Sequence, residues 1–125
     1  RARPCEPAGF DDTARSLAAG MPQRNTRLSG SICDAIVTPE PGQITFPILK
    51  QLCGPGLVVT DDQALHAMAL AFTRLKLVLE PGGAVALAAA LFCPDQIEGD
   101  AVIAIATGGN VDAEVFAQAL TRFPV

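Results

Sequence analysis

Thr107 is the residue around which chemistry can be organised. It ends the apolar run Ala101–Ala106 and stands directly before Gly108, Gly109 and Asn110. A helical pattern follows, so the stretch reads as a buried parallel strand emptying through a glycine turn into a helix N-terminus. Such a turn puts a hydroxyl at the carboxyl end of a strand, where open α/β sheets bind their ligands. Glycines there let free backbone N–H groups approach a ligand closely. The plainer reading is a tight turn with Asn110 as N-cap. Short glycine motifs recur by accident, so these residues alone leave both readings open.

The other reactive types form no pattern of their own. Cys5, Cys33, Cys53 and Cys93 are far apart and His66 is the only histidine, which leaves no zinc motif. Four buried thiols in a reducing cytoplasm are expected, with an extracellular disulfide pair as the alternative. His66 lies just off an apolar stripe and reads as a rim residue rather than a catalytic one.

Composition narrows the partners. The 125 residues carry a net charge of −4, and nine Lys and Arg are scattered without a patch. That excludes nucleic acid and an anionic membrane surface as expected partners. Trp and Tyr are absent, so bases have few stacking platforms. The apolar runs are too short to span a bilayer. Half the residues are hydrophobic, enough for one domain or part of one to bury a core.

The elements that must position these residues follow from punctuation and period. Arg1–Glu6 resembles the tail of a strand, and a turn through Pro7 and Gly9 leads to a helix, Thr13–Ala19, closed by Gly20. A polar loop, Met21–Gly30, and the mixed stretch Ser31–Val37 precede a helix over Ile44–Leu52, with Thr45 as N-cap and Pro47 in its first turn. Leu57–Thr60 is a short strand. Thr60 with Gln63 fits a capping box, and Leu65, Met68, Ala69, Phe72 and Leu75 mark one buried face to about Leu77. Pro81-Gly82-Gly83 interrupts the pattern before Ala84–Phe92, a helix apolar on every side that belongs inside a larger structure. An acidic loop, Asp95–Asp100, then the strand and turn of Thr107, and a last helix over Val111–Phe123 complete the chain. Strands alternating with helices predict an α/β fold with a partial parallel sheet flanked by helices.

Five motifs in this order, CEPAGFDD, SICDAIVTPEPGQITFPIL, VVTDD, RLKLVLEPGGAVALAAAL and AIATGGNVD, resemble the pyridoxal-phosphate-dependent serine/threonine dehydratases. That group, which also holds serine racemase, has the fold-type II architecture. The resemblance runs from about Pro4 to the C-terminus. It implies that the chain is the C-terminal portion of a catalytic domain, one truncated α/β segment. The family's Schiff-base lysine motif and its glycine-rich phosphate loop are not in the sequence. Lys50 and Lys76 are the only lysines, and neither matches the cofactor lysine.

By the same resemblance Thr107 takes the position whose hydroxyl or thiol bonds the pyridine nitrogen of the cofactor. A neutral hydroxyl cannot stabilise a pyridinium, which favours loss of a β-hydroxyl over transamination. Glu80, in LEPGG, matches a glutamate near the cofactor ring; read alone, it is a charge at a helix N-terminus. Ala35, in SICDA, stands where many relatives have a glycine facing cofactor or substrate, and Cys33 replaces a usual alanine. Glu6, Phe10 and Asp12 match a divalent-cation site built from two carboxylates and a backbone carbonyl, suited to Mg²⁺ or Ca²⁺. The competing reading has Asp11 or Asp12 capping the following helix.

The activity so implied, for the complete enzyme, is β-elimination of water from a small hydroxy amino acid to give a 2-oxo acid and ammonia. The segment alone is expected to be inactive. Two alternatives stand beside it. One is a non-enzymatic binding or oligomerisation module that kept the fold, hiding its apolar helix in a homo-oligomer. The other is a dehydratase acting on 3-hydroxyaspartate or a hydroxyectoine-pathway intermediate.

Overall fold

Two short runs of β-type residues begin the fold. In the computed structural model, which describes Arg1–Val125, β1 (Cys5–Pro7) lies parallel to β2 (Leu57–Val59), with Cys5 opposite Leu57 and Pro7 opposite Val59. Leu57 N–H donates to Pro4 O and Ala8 N–H to Val59 O, both at 2.8 Å, carrying the ladder past β1 at each end. A parallel pair needs a crossover, and here it runs through α1 (Asp12–Ala19), a long irregular stretch and α2 (Thr45–Leu52). The result is an α/β fold with a small parallel sheet flanked by helices.

Local sequence accounts for most helix ends. Gly20 closes α1 in the left-handed region at φ +72°. Asp11 occupies the N-cap position of α1 without a side-chain capping bond; its carboxylate lies 3.5 Å from Arg15 Nε. The cap comes instead from Glu6, whose carboxylate accepts from Thr13 N–H at 3.0 Å and Ala14 N–H at 2.7 Å. Helix α2 starts at Thr45 itself, so Thr45 is not its N-cap; its hydroxyl donates back to Gly42 O at 3.2 Å. Pro47 explains the shift. As N-cap, Thr45 would face a proline without an N–H at the second helical position.

Helix α3 (Asp61–Leu70) carries the expected capping box, Gln63 N–H to Thr60 Oγ1 at 3.2 Å and Thr60 N–H to Gln63 Oε1 at 2.8 Å. Its buried face holds Leu65, Met68 and Ala69, but Phe72, Leu75 and Leu77 are exposed. Beyond Leu70 the helix widens into a π turn, Ala71–Leu75, and stops at Lys76 with φ +61°. The wider turn rotates the later apolar positions off the face that the α-helical period predicts.

Helix α4 (Pro81–Phe92) begins three residues earlier than the glycines suggest, because Pro81 fits the first helical position. Its residues Pro81–Val85, Ala88 and Ala89 are buried against both strands and α3. Helix α5 (Ala113–Arg122) covers the other side of α3 and buries Ala119. Its N-cap is Asp112, not Asn110. His66 stacks on Phe123 at 4.9 Å and tilts against Phe92 at 5.0 Å, which accounts for it as a rim residue.

The expected strand at Ala101–Ala106 does not form. Residues 101–107 run without helix, turn or bridge, and none of them shares a hydrogen bond with another backbone group. A strand exists only through its neighbour's N–H and C=O groups, and no second strand lies beside this one.

Candidate functional site

The centre of the site is a meeting of three backbones. Glu80, the N-cap of α4, donates its N–H to Gly108 O at 3.1 Å. A methyl group on Gly83 would lie 2.8 Å from Gly108 N and closer still to Gly108 O, and one on Gly109 would lie 2.5 Å from Val78 O. A methyl on Gly108 would run into Glu80 Oε1. The turn after Thr107 is therefore pressed onto the start of α4, and only glycines permit that approach. This use of PGG and TGG was in the sequence as two glycine pairs, but nothing in it said that they touch.

A third segment reaches the same place. Asp61, in the first turn of α3, accepts from Ser31 Oγ at 2.7 Å and from Ile32 N–H at 3.2 Å, and Ser31 Oγ accepts from Cys33 N–H at 3.0 Å. This network aims the single 3₁₀ turn Asp34–Ile36 at α4, so a methyl on Gly82 would touch Ala35 Cβ and Ile36 Cγ1 at 3.6 Å. Ala35 and Glu80 line one hollow of about 380 Å³ together with Asn110 and Asp112. Thr107 opens on its other side, into a larger cleft of about 1070 Å³. The fold thus gathers Thr107, Glu80 and Ala35 around Gly82, Gly83 and Gly108. Ala35 and Thr107 are exposed and Glu80 is half-buried.

A neutral hydroxyl, a carboxylate and close glycine backbone are a set that fits the edge of a pyridine ring. Covalent attachment is a different matter. Lys50 donates to Gly20 O and Lys76 to Thr73 O, both at 2.8 Å, and neither lines either hollow. Cys33 is fully buried, and burial pushes its thiol up to about 11.

The second expected site lies on the far side of β1. Phe10 and Asp12 are buried. Asp12 Oδ1 accepts from Asn25 Nδ2 at 2.8 Å, while its Oδ2 is buried without a partner. Burial raises both the Glu6 and the Asp12 carboxyls above their ordinary values, against the N–H groups of Ala14 and Thr13 on Glu6 and Asn25 on Asp12. An orphaned carboxylate oxygen suits a hard cation. Glu6 suits one less well, since both its oxygens already accept N–H groups of α1. No group of three or more His, Cys, Asp or Glu side chains is arranged to hold a metal.

Comparison with known proteins gives the chain a family. The family described as "Pyridoxal-phosphate dependent enzyme" matches residues 2–108. Serine racemase of Dictyostelium discoideum is 41% identical over 110 residues, covering 86% of this chain and 34% of that protein. L-threo-3-hydroxyaspartate ammonia-lyase of a Pseudomonas species is 35% identical over 115 residues, 92% of this chain and 36% of the enzyme. The structure of maize serine racemase superposes with a TM-score of 0.79 at 32% identity, over 94% of this chain and 37% of that one. The chain spans about a third of the length of these relatives. Matched across most of its own length in sequence and in backbone, the chain belongs to the fold-type II pyridoxal-phosphate-dependent enzymes.

Proposed function

We propose that this chain supplies the ring-facing part of a pyridoxal-phosphate-dependent dehydratase. The complete enzyme would remove water from a small hydroxy amino acid by β-elimination and release a 2-oxo acid and ammonia. The observation that carries this reading is the Gly83–Gly108 contact, which holds Glu80 and Thr107 on either side of one short turn. Bound pyridoxal phosphate would supply an electron sink for charge developing at the substrate α-carbon. Thr107 Oγ1 would share a hydrogen bond with the pyridine nitrogen and, being uncharged, leave that nitrogen neutral. Glu80 would orient the ring from the α4 side, and the Ala35 methyl would narrow the hollow that the substrate enters. No lysine lines either hollow, which supports the segment by itself being inactive.

A divalent cation at Glu6, the Phe10 carbonyl and Asp12 belongs to the proposal, supported by the unpartnered Asp12 Oδ2. A reducing cytoplasm is supported by four unpaired thiols. No helix is long and apolar enough to cross a membrane. A homo-oligomer is supported by the outward stripe of Ile44, at the N-cap of α2, with Ile48 and Leu52 on the helix. The likeness to L-threo-3-hydroxyaspartate ammonia-lyase favours a second reading in which the substrate is 3-hydroxyaspartate.

The test joins this chain to the part of Dictyostelium serine racemase that it does not span. The joined protein is assayed for 2-oxo acid from L-serine, L-threonine and L-threo-3-hydroxyaspartate. Product from at least one of them is expected. Cofactor binding with no product from any would overturn the reaction. Borohydride treatment of the chain alone with pyridoxal phosphate is expected to trap no stoichiometric adduct at Lys50 or Lys76.

A further inference from the structure

The Thr107 turn is held from one side only. Before it, residues 101–107 share no backbone hydrogen bond. Its fixed points come at and after the glycines, where Glu80 N–H donates to Gly108 O at 3.1 Å and Val111 N–H to Gly109 O at 3.0 Å. Helix α5 follows at once, and its place decides where the turn sits. That helix buries only Ala119, while Val115, Phe116 and Phe123 are half-buried. Side-chain clasps to α3 hold it. At one end Arg122 grips Asp62, Nη1 to Oδ1 at 2.9 Å and Nη2 to Oδ2 at 3.0 Å, and Phe123 stacks on His66. At the other end Phe116 meets Phe72 edge to face, with ring centroids 5.2 Å apart and planes at 88°. The two helices therefore run antiparallel, and the aromatic pair is the clasp next to the turn. Phe116 donates its N–H to the carbonyl of Asp112, the N-cap, at 3.0 Å, so the ring belongs to the first turn of α5.

An exposed ion pair such as Asp62–Arg122 contributes little by itself, whereas an edge-to-face aromatic pair adds to the burial of its own apolar area. Phe72 lies in the π turn, Ala71–Leu75. Widened turns of that kind are frequent at functional sites. Phe72 also lines neither hollow, so it reaches the site only through α5. We infer that Phe72 is a positioning residue for Thr107. Its contact with Phe116 fixes the first turn of α5, and thereby seats the Gly108 carbonyl on Glu80 N–H at the start of α4. The seating is independent of the reaction proposed above; its effect on turnover rests on the ring-nitrogen role of Thr107.

Amide hydrogen exchange in the chain alone tests the seating without reference to catalysis. Glu80 N–H is the reporter, because its partner is Gly108 O. Phe72→Ala should speed its exchange about tenfold, while amides in the middle of α4 keep their rates. Phe72→Tyr, which keeps the ring, should retain slow exchange. Phe116→Ala should act as Phe72→Ala does, and the double variant should go no further than either single one. Should Phe72→Ala fail to fold, Phe116→Ala reads the same clasp from the α5 side. Unchanged Glu80 exchange in a folded variant would overturn the inference, as would equal acceleration throughout α3 and α4. In the joined enzyme described above, Phe72→Ala should lower turnover with cofactor absorbance retained, and should lower it no further in a Thr107→Ala background. Equal losses in both backgrounds would overturn the positioning role. Wild-type turnover in Thr107→Ala alone would instead remove the ring-nitrogen role and leave the seating standing.

Discussion

At the scale of the residue, Thr107 and Cys33 make opposite claims about reactivity. Thr107 is exposed and uncharged, and the role proposed for it is one hydrogen bond to a ring nitrogen. In the complete enzyme, Thr107→Ala should lower turnover about tenfold to a hundredfold, the cost of one lost bond, while cofactor absorbance persists. Wild-type turnover in that variant would remove Thr107 from the site. Cys33 is fully buried, with its thiol pushed up to about 11 by burial. It should react with iodoacetamide at pH 8 far more slowly than Cys53, which is partly exposed. Because the folded thiol holds its proton longer than the unfolded one, its contribution to stability is full below pH 9 and is lost as pH rises toward 11. Thermal melts across that window should show the decline, and Cys33→Ala should flatten it. Thr107 was legible as a candidate because an apolar run ended at glycines. The buried position of Cys33 was legible only as a general habit of cysteine, since the Ser31–Asp61 network around it joins residues thirty apart.

At the scale of the element, what the sequence revealed depended on how far apart the partners were. Thr60 and Gln63 are three residues apart, so their capping box could be read directly. Glu6 caps α1 from seven and eight residues away across a turn, and local spacing pointed to Asp11 and Asp12 instead. Glu6→Ala leaves Thr13 and Ala14 N–H without partners and should destabilise the chain by about 1–3 kcal/mol, measured by urea unfolding. Helix α4 follows the same rule. Its apolar surround predicted a central helix, while the contact that fixes its start, Gly83 on Gly108, is invisible locally. Gly83→Ala should cost about 1–3 kcal/mol by overpacking, and should shift the Thr107 turn enough to weaken cofactor binding in the complete enzyme. Residues 101–106 show the converse case. Their strand character is written in the sequence, but the hydrogen bonds that would realise it must come from another segment.

At the scale of the whole molecule, apolar surface is left outward in several places. Two of them are the large cleft over α4 and the stripe of Ile44, Ile48 and Leu52, none of which lines that cleft. If the stripe joins copies of the complete enzyme, Ile48→Lys should shift the sedimenting species to a smaller one without loss of helix content. Unchanged sedimentation would assign the stripe to solvent. Between α1 and α2 the chain keeps its shape with hardly any regular structure, and much of that depends on Asn25. Its side-chain NH₂ reaches Asp12 Oδ1 at 2.8 Å and Thr38 O at 2.7 Å, and its own N–H reaches Pro39 O at 2.7 Å. A single amide therefore fastens the crossover to α1, and amides age. Hydrolysis of Asn25 to aspartate would replace a shared donor with a second carboxylate facing Asp12, turning a clasp into a repulsion. Old protein should then loosen first between residues 21 and 44, with the helices on either side still folded.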